Sequence, residues 1–182
     1  LLCNDAELVR DGESWAPRGD PMEAALVGFA MKAGLSPEAA RAGEPRTDAI
    51  PFDAEHRFMA VLTHDHAGGA RVLVKGAPER ALEECRAARG PGGSEGPLDA
   101  AEVHLEVEAL AGEGLRVLAL AAAAAPAERR ALRFDDVGGL VFLGLVGLMD
   151  PPREAAVAAV AECRAAGIRV KMITGDHAGT AG

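Results

Sequence analysis

The chain has 182 residues, 49% of them hydrophobic, enough for one substantial core and a smaller appendage. Its 19 basic and 28 acidic residues leave a net charge of −9, which argues against a nucleic-acid partner, since such partners select a basic face. Cys3, Cys85 and Cys163 are scattered without a Cys-x-x-Cys pair, a pattern of reduced thiols in a cytosolic setting.

In chain order, the opening "LLCNDAELVR" lacks the basic leader of a signal peptide. "GDPMEAALVGFAMKAGL" predicts a helix: Asp20 is the N-cap, Pro21 the first helical residue, and Glu23 completes a capping-box spacing. Ala25, Leu26, Phe29 and Ala30 supply its apolar stripe, and Gly34 its stop. "SPEAAR" from Ser36 adds a further turn. "DAIPFD" precedes two strands, "RFMAVLT" and "ARVLVK", which the turn-like "HDHAGG" joins as a hairpin. "APERALEEC" predicts a short helix begun by Pro78, and "GPGGSEGP" from Gly90 a loop. Asp99 and Glu102 repeat the capping-box spacing before a helix striped by Val103, Val107, Leu110 and Ala111. "LRVLALA" from Leu115 reads as a strand, and the Ala tract beyond it stops at Pro126.

Near Phe134 the pattern changes. The remainder reads as strand, helix, strand, one βαβ unit of a parallel sheet, with Gly167 ending the helix. The expected fold is therefore an α+β body with an antiparallel sheet flanked by helices over residues 1–134, followed by part of a parallel α/β domain over 135–182. The longest apolar run, Gly139 to Met149, is too short for the roughly 20 residues a bilayer needs. The chain is expected to be soluble and, from its abrupt first and last residues, cut from a longer protein.

The common phosphate-binding patterns are absent: there is no Gly-Lys dipeptide for a P-loop and no Gly-x-Gly-x-x-Gly. A Gly-x-Ser-x-Gly nucleophile elbow is absent too. His64 and His66 flank Asp65 in the hairpin turn and are the one histidine spacing that could hold a metal, but a polar exposed turn explains all three residues without one. What remains is a set of residues beside apolar segments: Glu23, Phe52, Arg57, Lys75 and Arg116. An aromatic ring to stack on a base, cations for phosphates and one carboxylate make a candidate nucleotide pocket. Four of the five also have a structural alternative. Glu23 belongs to a capping box, Phe52 could be core, Lys75 could guard an edge strand, and Arg116 could be an ordinary exposed charge.

Taken together and in order, "GDPMEAAL", "PFDAEHRFM", "KGAPE", "GLRVLALA", "DPPR" and "MITGD" resemble the cytoplasmic part of P-type cation-transporting ATPases, in the calcium-pump-like branch. The resemblance implies a nucleotide-binding domain followed by a remnant of a phosphorylation domain of the haloacid-dehalogenase type. It implies that Phe52 stacks on adenine, that Glu23 lies near the adenine amino group, and that Lys75 and the backbone of Gly76 line the pocket floor. Arg116 would reach the phosphates, and Arg57 stands where the family often has lysine. Asp150, Pro151, Pro152 and Arg153 would form the hinge side of the phosphorylation domain. Thr174, Gly175 and Asp176 would face the γ-phosphate and Mg2+. Met22 and Phe58 depart from the family's commoner residues and are expected at the pocket rim.

No Asp-Lys-Thr-Gly-Thr segment is present, so the phosphorylated aspartate of the family is not in this sequence. The expectation is a chain that binds ATP without turning it over. Its parent would hydrolyse ATP with Mg2+ through a phospho-aspartate, together with actuator and transmembrane domains, at the cytoplasmic face of a bacterial plasma membrane. A stand-alone nucleotide-binding regulatory module is the alternative. A phosphatase of the haloacid-dehalogenase class would need an Asp-x-Asp pair, which is absent.

Overall fold

The computed structural model describes residues 1–149 and 154–171. The chain opens with a two-stranded hairpin that the sequence pattern did not reveal, β1 (Glu7–Asp11) and β2 (Ser14–Arg18). Helix α1 (Pro21–Lys32) starts as its sequence dictates: Asp20 Oδ1 accepts from the backbone N–H groups of Met22 and Glu23. Its buried stripe is Ala24, Leu26, Val27 and Ala30. The expected stripe is thus rotated, and Phe29 and Ala25 face outward. Helix α2 (Pro37–Gly43) is capped by Ser36.

Next come β3 (Arg46–Ile50), β4 (Phe58–His64) and β5 (Ala70–Gly76), and the predicted hairpin pairs Phe58 with Gly76 through His64 with Ala70. Helix α3 (Pro78–Glu83) follows the hairpin directly. The segment after it, expected to be loop, contains β6 (Cys85–Arg89) and the short β7 (Glu95–Gly96). Helix α4 (Ala100–Gly112) is capped by Asp99, and β8 (Arg116–Ala125) runs on through the whole Ala tract. Strand β9 (Leu140–Leu148) and helix α5 (Glu154–Ala165) follow.

Seven strands form one sheet in the order β3-β4-β5-β8-β9-β6-β7, antiparallel throughout except for the parallel β6–β9 pair. This corrects the reading of β9 as the first strand of a separate βαβ unit, because β9 is hydrogen-bonded between β8 and β6. Its unbroken apolar run mimics the pattern of a parallel strand covered on both faces, although only Leu140, Val141 and Phe142 of it are buried. Residues 168–171, the start of the expected second strand, have no regular secondary structure, and the rest of that strand lies outside the described residues.

The sheet's two faces are used differently. Val72, Val74 and Ala121 join Ile50, Phe58, Ala60 and Leu140 in the main core, with Leu132 and Val137 folded over them. Helices α3 and α4 extend that layer through Ala81, Leu82 and Val103 against Ala119 and Phe142. By the period-2 alternation of β5, Arg71, Leu73 and Lys75 point to the opposite face. Lys75 is therefore on the α1 side of the sheet.

Candidate functional site

Where β5 ends, the backbone is crowded. A Cβ on Gly76 would lie 2.6 Å from the Arg57 carbonyl oxygen and from Phe58 Cβ, so only glycine lets the 51–57 loop cross there. Arg57 takes the left-handed conformation, φ 56°, and its carbonyl accepts from Ala77 N–H at 2.9 Å. This crossing places the loop that carries Phe52 beside the end of β5.

A cavity of about 280 Å3 opens at that point. Lys75 and Gly76 contribute from β5, and Arg116 and Leu118 from the start of β8. The first turns of α1 supply Asp20, Met22, Glu23 and Leu26, and Phe52 stands at the edge with its ring 62% exposed. Five of the six residues singled out as nucleotide contacts thus share one cavity: Glu23, Phe52, Lys75, Gly76 and Arg116. Arg57 does not join them. Its guanidinium donates to Glu79 Oε1 at 2.6 Å, which fixes it toward α3. Phe58, expected at the rim, is instead in the main core, while Met22 does line the cavity.

The cavity's electrostatics rest on one ion pair. Lys75 Nζ donates to Glu23 Oε1 at 2.5 Å, with the two side chains 8% and 18% exposed. The lysine is therefore neither an edge guard nor a free cation, since β5 is central and its charge is already matched. Glu23 does not close the capping box with its side chain. Its second oxygen accepts from Asp5 N–H at 2.8 Å, so the carboxylate is held from both sides. Below, Cys3 Sγ donates to the Met59 carbonyl at 3.4 Å. Burial pushes the Cys3 thiol up to about 11, the nearby Lys75 ammonium offsetting this only in part. At neutral pH it is a small apolar group.

Sequence reasoning missed Asn4, which is 1% exposed and donates from Nδ2 to the Glu23 carbonyl at 2.8 Å. No local pattern announces it, because its partner is 19 residues away. It also missed Asp20 as a cavity wall in addition to a cap.

Among the described residues, His56, His64 and His66 have structural occupations. The His64 ring sits between Thr47 Oγ1 at 2.6 Å and Arg130 Nη1 at 2.7 Å, and His66 Nε2 meets the Ala42 carbonyl at 2.9 Å. Asp65 accepts from Ala67 and Gly69 N–H groups to shape the turn. His56 lies against the Phe134 ring, centroids 4.0 Å apart. Among the described residues Asp53, Glu55 and His56 do cluster, yet Asp53 Oδ1 already accepts the backbone N–H groups of the other two. That bonding holds the Asp53 carboxyl below its usual range. The cavity does not fit Mg2+ by itself: it offers a matched lysine, an arginine and two engaged carboxylates, where the metal wants several free oxygens. Asp150, Pro151, Arg153, Thr174, Gly175 and Asp176 lie outside the described residues.

Comparison with known proteins gives a consistent family. The family model for the cytoplasmic domain N of P-type ATPases matches residues 1–155. The chain is 44% identical over its whole length to the cation-transporting ATPase pma1 of Synechocystis, of which it covers 20%. It is 48% identical, over 98% of its length, to the probable cation-transporting ATPase F of Mycobacterium tuberculosis, again covering 20%. The calcium-transporting ATPase 1 of Lactococcus lactis is 34% identical over the whole chain, with the same 20% covered. The chain thus spans about a fifth of the length of these relatives. With its mixed, mostly antiparallel sheet and helices beside it, this chain belongs to the P-type ATPase cytoplasmic domain N family.

Proposed function

We propose that the chain is the ATP-binding part of a cation pump and that the cavity beside Lys75 receives the adenosine of ATP. One observation carries this reading: a ring, a carboxylate and a buried ammonium from three separate elements meet at one cavity. Phe52 offers an exposed face for the base, and stacking of this kind contributes roughly 1–3 kcal/mol. Glu23 accepts from the adenine amino group, Lys75 holds that carboxylate in place, and Met22, Leu26 and Leu118 pack along the base. Arg116, exposed at the mouth, meets the phosphates. Because Lys75 is already paired, the pocket reads the nucleoside more than the phosphate charge. Binding near 1 mM, about 4 kcal/mol, is the expected order.

In the parent protein this domain delivers ATP to an aspartate nucleophile on a phosphorylation domain of the haloacid-dehalogenase type. Asp150, Pro151, Arg153, Thr174, Gly175 and Asp176 belong to that side in this reading. Mg2+ arrives with the phosphates and neutralises their charge. The parent would couple phosphorylation to movement of a cation, calcium by the sequence resemblance and by the name of the Lactococcus relative. Its nucleotide domain would lie on the cytoplasmic face, in a bacterial plasma membrane. The chain alone, without the aspartate, would bind nucleotide and not hydrolyse it.

The test is an NMR titration of wild type and Phe52→Ala with ATP and with adenosine. Loss of the ring is expected to weaken both ligands roughly tenfold, and stability should change by less than about 0.5 kcal/mol because the ring is exposed. Weakening confined to ATP would contradict stacking, and chemical-shift changes away from the cavity would contradict the site.

A further inference from the structure

Asn4 is a buried amide in a segment the proposed nucleotide contacts do not include, and each end of it is engaged. Its Nδ2 donates to the Glu23 carbonyl, and its Oδ1 accepts from Ala6 N–H, both at 2.8 Å. The second bond bends the chain into an Asx-type turn. The residue inside that turn is Asp5, and its N–H is the group that donates to Glu23 Oε2. The Glu23 carboxylate is thus gripped by a backbone N–H on one oxygen and by the Lys75 ammonium on the other. Each carboxylate oxygen has two lone-pair sites, so a further donor arriving from the cavity can still be accepted.

We propose that Asn4 is a positioning residue for base selectivity: by tying the 4–6 turn to the first turn of α1, it keeps Asp5 N–H on Glu23, so that the carboxylate is presented to the 6-amino group of a purine. This rests on Glu23 as the base contact proposed above. An ionised carboxylate attracts a 6-amino group and repels a 6-oxo group, so a fixed Glu23 favours adenine over hypoxanthine. Freed from Asp5, the Glu23 side chain regains rotamers that binding must again restrict, and the discrimination shrinks. The turn has other anchors. Arg41 Nη2 donates to the Ala6 carbonyl at 2.9 Å and Arg46 Nη1 to Asp5 Oδ1 at 2.6 Å, while fully buried Ala6 packs on Gly19. These contacts keep the segment near its place when the amide is removed.

The experiment measures dissociation constants of the 182-residue chain for ATP and for inosine triphosphate, in wild type and Asn4→Ala. Wild type is expected to prefer ATP by about tenfold, the loss of one hydrogen bond to a charged group. In Asn4→Ala the ratio is expected to fall to about threefold or less, through weaker ATP binding, with inosine triphosphate changed by less than about twofold. If Asn4→Ala fails to fold, Asn4→Ser, whose hydroxyl can keep the turn bond to Ala6 N–H but is too short to reach the Glu23 carbonyl, carries the same measurement. A ratio that survives the substitution, with both nucleotides weakened equally or neither affected, overturns the positioning role while leaving the nucleotide site intact. A wild type that binds both nucleotides equally removes Glu23 as the base contact and the inference with it.

Discussion

Lys75 shows how a single side chain changes meaning between sequence and structure. In "RVLVKGAPER" it reads as a charge at the end of a strand. In the fold it is a central-strand lysine, nearly buried and matched by Glu23 across 52 residues of chain. Removing one partner of such a pair leaves the other charge uncompensated. Lys75→Ala is expected to cost about 3 kcal/mol in urea unfolding and to weaken ATP binding roughly tenfold. The double variant Glu23→Gln/Lys75→Met should recover most of the stability without recovering the affinity. Recovery of both would assign the pair a purely structural role. The five cavity residues named from the sequence were legible because each stands at the end of an apolar run, where side chains leave the core. Arg57 stands in the same kind of position but pairs with Glu79 outside the cavity, and nothing local in the sequence signals its left-handed backbone.

Elements with strong local signals formed where expected. Both capping aspartates cap, and the β4–β5 hairpin closes on its polar turn. β6 was invisible because "CRAAR" has no strand character of its own: it is extended by pairing with β9, whose Leu140 faces Cys85. The β3–β5 region is further held at Glu44, which accepts from Arg71 Nε at 2.8 Å and Thr63 Oγ1 at 2.5 Å. The Arg71 hydrogen bonds hold the Glu44 carboxyl below its usual range, against a smaller opposing effect of burial. A depressed carboxyl contributes stability that is complete above its unfolded value, about 4.3, and is lost as pH falls through the folded value. Glu44→Gln is therefore expected to lower stability at pH 7 and to flatten the loss of stability below about pH 4.3. An acid-unfolding profile that keeps the wild-type slope would show that Glu44 does not contribute.

At the scale of the molecule, the sequence separated the body from a second unit at residue 134, whereas the sheet runs on through β9. The difference has a physical origin, since hydrophobic pattern reports how many faces of a strand are covered and not which strands lie beside it. We propose that the junction with the phosphorylation side falls after Leu148. A chain ending at residue 134 would strip β9 from between β8 and β6 and is expected to lose cooperative unfolding by circular dichroism. One ending at 149 should retain it, and equal behaviour of the two would restore the earlier boundary. The register of the β8–β9 ladder has a mechanical corollary. Its last rung sets Arg116 opposite Leu148, so the polypeptide departs from the sheet alongside the guanidinium at the cavity mouth. Torque applied to the departing strand would therefore reach the mouth of the proposed nucleotide cavity across a single rung.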